Sequence, residues 1–149
     1  MVNDSGIVAN NAKNANVINN FVKLSGNTKN GIELTGCDSS TVSCNTVSGR
    51  YPAMGYQNKG VNISHSTTNF LNCNNTDSTY YGNYFDGACI GTKFKGTQMH
   101  NHFEGLRLFT NAVIDTQAHA GNLWFGPFST GGFGANNLNN GNPASLQQS

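Results

Sequence analysis

His100, His102 and Glu104 alternate with Met99, Asn101 and Phe103. If Phe103 points inward, two imidazoles and a carboxylate project from one strand face, a set that could hold a transition metal or serve as general acid and base. Any half-buried strand displays the same alternation, so the expected role of the three is structural, and nothing here calls for a metal or other cofactor. Lys93 and Lys95 share a face by the same alternation, with Arg107 expected on the following repeat. Tyr51, Tyr56, Tyr80, Tyr81, Tyr84 and Trp124 concentrate in irregular segments. Rings beside Asn amides suit stacking on sugar faces while the amides bond hydroxyls, which makes Tyr80, Tyr81, Tyr84 and Trp124 the candidate carbohydrate contacts. The cysteines show no C-x-x-C pair and do not read as a zinc site.

The elements that must position these residues are not helices. Only 10% of the 149 residues are charged, against about 25% in an average soluble protein, which leaves little from which to build amphipathic helices. The net charge of +1, with no basic run, gives no grip on a nucleic acid backbone. No apolar run is long enough to span a bilayer. The first residues, MVNDSGIVANN, carry no secretory signal, so in an exported parent that signal is expected upstream. Asn (25 residues) and Gly (18) dominate, yet nine Phe and five Tyr remain, which favours an ordered, turn-rich all-β chain over disorder. The length fits one domain or a piece of a longer one.

The chain repeats itself. Gly6-Ile7-Val8-Ala9, Gly31-Ile32-Glu33-Leu34 and Gly60-Val61-Asn62-Ile63 open three copies. Val17, Val42 and Leu71 follow at one common offset, and Asn20, Asn45 and Asn74 at another. Within each copy the apolar residues alternate over four to six positions, which is strand periodicity, and Gly, Asn, Asp and Ser clusters between them supply turns. A unit this small cannot bury its own apolar face and must stack on its copies. Gly105-Leu106-Arg107-Leu108 opens a later copy, with Val113-Ile114 as its second strand. Tyr80 to Gly87 reads as an aromatic insertion, and Arg50 to Lys59 as a protruding loop containing Tyr51, Pro52 and Tyr56.

The cadence Gly31-Ile32-Glu33-Leu34 followed by Val42-Ser43-Cys44-Asn45-Thr46-Val47-Ser48-Gly49 resembles the repeats of right-handed parallel β-helices of the pectate-lyase-like superfamily. The resemblance covers roughly residues 6 to 117 and implies four or five coils over 1–119, followed by an irregular Gly/Asn-rich tail over 120–149. In that tail His119-Ala120-Gly121-Asn122-Leu123-Trp124 is similar to the stretch after the β-helix in extracellular proteins of Bacteroidota, which implies a secreted or cell-surface location and further domains in a longer parent chain.

Stacked coils predict columns of like residues, with Asn20, Asn45 and Asn74 as a structural ladder. Cys44 and Cys73 are expected to stack while pointing into the core, either reduced or as a disulfide, whereas Cys37 and Cys89 lie elsewhere in their coils. The resemblance also implies that a basic row of Lys93, Lys95 and Arg107 with His100 and His102 would be the place for a polysaccharide lyase or glycoside hydrolase. The acidic calcium cluster and paired Asp motifs of those enzymes have no counterpart among the seven scattered acids. The expected function is therefore a non-catalytic, adhesin-like scaffold that contacts carbohydrate, with a fragment of a carbohydrate-active enzyme as the alternative.

Overall fold

The computed structural model describes residues 5–25, 30–51, 57–115, 117, 121–126 and 131–138. Pro52 and Tyr56 of the expected loop, and His119 and Ala120 at the expected domain boundary, lie outside the described residues.

The chain is a parallel β-solenoid of about five turns, and no helix occurs among the described residues. Each of the first four turns contributes three short strands: β1 (Ile7–Asn10), β2 (Asn16–Ile18) and β3 (Phe21–Lys23); β4 (Asn30–Thr35), β5 (Thr41–Ser43) and β6 (Thr46–Ser48); β7 (Lys59–Ser64), β8 (Phe70–Asn72) and β9 (Asn75–Asp77); β10 (Tyr81–Asp86), β11 (Lys93–Lys95) and β12 (Gln98–His100). The fifth turn has β13 (Glu104–Leu108) and β14 (Leu123–Phe125), and β15 (Phe133–Asn137) follows. Every third strand pairs in parallel through the first four turns, and β12 pairs with β14 and β13 with β15 at the end, so three sheets run along one axis: β1-β4-β7-β10-β13-β15, β2-β5-β8-β11 and β3-β6-β9-β12-β14.

The predicted columns are present. Ile7, Ile32 and Val61 are register partners, as are Val17, Val42 and Leu71. Most of these side chains are fully buried, and their burial at roughly 25 cal/mol per Å² of apolar surface supplies most of the driving force. The Asn ladder is also real. Asn45 Oδ1 accepts from the backbone N–H of Asn20 at 3.0 Å, and Asn74 Oδ1 accepts from that of Asn45 at 3.1 Å. The Nδ2 groups of Asn45 and Asn74 return bonds to the carbonyls of Val17 and Val42, each at 2.8 Å. Asn122 resumes the same arrangement two turns on, accepting from Thr97 N–H at 3.0 Å and donating to the Phe94 carbonyl.

A second column fixes the stack. Gly6, Gly31, Gly60, Gly82 and Gly105 lie over one another so closely that a β-carbon on any of them would fall within 2.7 Å of the carbonyl oxygen of the glycine one turn further on. Gly82 thus opens the fourth turn, and Tyr81–Asp86 is a regular strand of the first sheet where an insertion is expected from the sequence. Val113 makes an isolated bridge to Ala88, and among the described residues the second sheet has four strands. Gln117 continues that sheet with its side chain: Oε1 accepts from Phe94 N–H at 2.7 Å and Nε2 donates to the Thr92 carbonyl at 3.1 Å. Within the segment expected to be an irregular tail, β14 and β15 are strands that pair with β12 and β13 and continue the stack.

The corners between strands are made by residues in the left-handed region. Between the second and third sheets Asn19, Cys44, Cys73, Gly96 and Gly121 occupy one such column, with φ between 53° and 61°. This kink interrupts strand alternation and turns the side chains at its centre outward. Cys44 and Cys73 are consequently exposed rather than in the core. Cys37 and Cys89 are buried, with Ser66 between them in their column. All four cysteines are free.

Candidate functional site

The same corner effect disperses the His100, His102, Glu104 set. Asn101 takes a φ of 54°, so the phase reverses after β12: His102 turns inward and Phe103 outward, the opposite of the sequence expectation. His102 is fully buried in the corner between the third and first sheets. The Thr79 hydroxyl donates to the Tyr81 carbonyl at 2.7 Å, so its proton is committed. Nδ1 of His102 lies 2.9 Å from the Thr79 carbonyl, and Nε2 lies 3.0 Å from the Thr76 carbonyl and 3.2 Å from the Thr76 hydroxyl, so both ring nitrogens are engaged by threonines within the core. Burial lowers the His102 pKa to about 4, so the ring is neutral in the folded chain near pH 7. His100 instead stacks on Phe125 with ring centroids 4.3 Å apart. Glu104 lies on the outside of the first sheet. Among the described residues no three His, Cys, Asp or Glu side chains come together as a metal site.

The basic row is not assembled either. Lys93 and Lys95 flank buried Phe94 and point into solvent from the second sheet, whereas Arg107 belongs to the first. Trp124 pairs with Met99 in the third sheet and turns its indole edge toward Gly105, so it is half-buried against the core rather than displayed for a ligand.

The structure does bring residues together on the outer face of the first sheet. Register aligns Glu33, Asn62, Tyr84, Arg107 and Asn136 in one row, and Asn30, Lys59, Tyr81, Glu104 and Phe133 in the next. Arg107 Nη1 donates to Glu104 Oε1 at 3.0 Å and to the Tyr81 hydroxyl at 3.1 Å, while its guanidinium carbon lies 4.9 Å from the centre of the Tyr81 ring. Asn136 Nδ2 adds a second donor to Glu104 at 3.0 Å. Lys59 Nζ sits 3.7 Å from the Tyr84 ring centre and donates to Asn62 Oδ1 at 3.4 Å. Tyr81 and Tyr84 are only 7% exposed, so their hydroxyls and edges, not their ring faces, are what they offer. Tyr80 extends the patch: it stacks on Phe103 at 4.6 Å and meets the edges of Tyr51 and Tyr81 at 5.6 and 4.7 Å.

Burial, first among the causes, pushes the phenols of Tyr80, Tyr81 and Tyr84 upward, so all three remain neutral donors near pH 7. Burial likewise lowers the Lys59 ammonium, against the opposing pull of Asp86 and Glu33. Chemically the face is a set of fixed hydroxyls, amides and one internally paired guanidinium beside aromatic edges. Of these residues, Lys59, Asn62 and Asn136 were not expected as partners of the tyrosines. Recognition of Gly82 as a turn opener would have placed Tyr81 beside Lys59 and Tyr84 beside Asn62.

No protein-family model, curated protein or solved structure matches the chain.

Proposed function

We propose that the chain is a non-catalytic segment of a longer secreted or cell-surface protein, a rigid adhesin-like scaffold whose first sheet contacts carbohydrate through its outer face. The observation that carries this is the contrast between satisfied and available groups. Side chains able to do acid–base chemistry are separated or committed to structure, as His102 is between Thr76 and Thr79 and Glu104 is beneath Arg107 and Asn136. Around them lie neutral phenols and half-buried Tyr80, a combination suited to the hydroxyls of a saccharide and, through Tyr80, to its apolar faces. Kinship with right-handed β-helix proteins of the pectate-lyase-like superfamily, as in extracellular proteins of Bacteroidota, belongs to the same reading and is supported by the glycine-led cadence.

A glycan array followed by calorimetry tests it. The expected result is binding of at least one saccharide, weakened about tenfold by Tyr80→Ala and by Arg107→Ala. Incubation with uronate polysaccharides should leave the absorbance of unsaturated product flat. Product formation abolished by Lys93→Ala would replace the scaffold with a lyase, and an array without binding would remove the carbohydrate contact.

A further inference from the structure

The corner column between the second and third sheets places two thiols side by side on the surface. Ser43 and Asn72 are register partners, so the residues that follow them, Cys44 and Cys73, stack on adjacent turns. Both have a φ of 53°, both are exposed, and their N–H groups make equivalent bonds to the next turn, to the Asn72 carbonyl at 3.0 Å and the Lys95 carbonyl at 2.9 Å. Parallel neighbours in a sheet are separated by about 4.8 Å, inside the Cα range of roughly 4.4 to 6.8 Å that a disulfide accepts. The reach of the side chain is also right. A β-carbon built at Gly96, the next member of the column, would lie 3.7 Å from Cys73 Sγ, so a thiol here extends over the turn ahead, and the turn ahead of Cys44 carries Cys73.

We propose that Cys44 and Cys73 form a surface dithiol site that exchanges with small disulfides and closes into a bond between the second and third turns. The Cys44 thiolate attacks one sulfur of the oxidant and releases one thiolate, forming a mixed disulfide. The Cys73 thiolate then attacks Cys44 Sγ and releases the second thiolate. Two protons leave the cysteines, and the two electrons lost by the pair reduce the oxidant to two thiols. The other two cysteines take no part: Cys37 and Cys89 are buried, point their Sγ–H groups at the carbonyls of Ala9 and Ile63, and are kept apart by Ser66.

The test uses the full chain, reduced and then incubated with oxidised glutathione without denaturant. Intact mass should fall by two hydrogens, peptide mapping should join Cys44 to Cys73, and dithiothreitol should reverse both changes. Closing a loop between cysteines 29 residues apart should raise the thermal midpoint by about 5 °C. Cys44→Ser, at an exposed corner of positive φ that Ser39 also adopts, should keep the unoxidised midpoint and stop at one glutathione adduct on Cys73. Two stable glutathione adducts on the unsubstituted chain, chain-to-chain disulfides, or no reaction would each overturn the proposal.

Discussion

Along β4 the side chains of Ile32 and Leu34 point inward and that of Glu33 points outward, and the two faces of this strand change differently from turn to turn. Inward, Leu34 is followed by Ile63, Phe85 and Leu108, all fully buried. Outward, Glu33 is followed by Asn62, Tyr84 and Arg107, no two alike. The inner column is constrained because each residue must fill the space above the last, at close-packed density. The outer rows meet no such demand and are free to carry chemistry. In a stacked fold, repetition marks structure, and departure from it on the outside marks the surface that distinguishes one turn from another.

The largest expected effect tests that division directly. Leu34→Ala should lower stability by about 2 to 5 kcal/mol in a urea titration, because the void sits between stacked neighbours that cannot collapse into it. Glu33→Ala, one residue away, should cost less, about 1 kcal/mol, because it loses only the half-buried bonds that Glu33 accepts from Ser5 Oγ and Asn30 Nδ2.

His102 is an inward exception whose cost appears with acid. Its folded pKa of about 4 lies below the ordinary value of 6.5. The unfolded chain therefore binds the proton first. Stability is level above pH 6.5, falls as pH drops from there to about 4, and levels off again below, with a total loss of about 3 kcal/mol. Thermal midpoints recorded across this window should fall for the native chain and flatten for His102→Gln; equal slopes would assign the loss to carboxylates instead.

The smallest effect should be a gain. Asn83 stands between Val61 and Leu106 in the first inward column, fully buried, with neither amide atom hydrogen-bonded. Asn83→Leu restores the apolar column and should stabilise by about 1 to 2 kcal/mol. A loss on substitution would mean that this amide has work within the core.

The stacking itself was legible in the sequence, because Val17, Val42 and Leu71 keep a fixed offset from their glycines and a parallel register converts equal offsets into contact. The direction of residues beyond each strand end was not. Period-two counting carried through Ser43 puts Cys44 inside, and carried through His100 puts His102 outside; both fail at a residue of positive φ that shifts the phase. In the first three turns that corner is held by Asn19, Cys44 and Cys73, none of which announces it as Gly96 and Gly121 do. The outer face was hidden for a different reason. The 22 residues from Gly60 to Gly82 make a shorter turn than the 29 before it, so a regular strand in a tyrosine-rich segment passed for an insertion.

The glycine column gives the solenoid a phase mark that is independent of turn length. Gly6, Gly31, Gly60, Gly82 and Gly105 superpose although 22 to 29 residues separate them in sequence, since at these points the main chain of one turn lies against that of the next too closely for any side chain. An added or deleted segment between two marks is absorbed locally and does not propagate as a slipped register. Doubling the stretch between Gly49 and Asn58 should cost only about 0.6 kcal/mol of closure entropy. The scaffold can therefore accept new surface loops one turn at a time while its interior stays as it is.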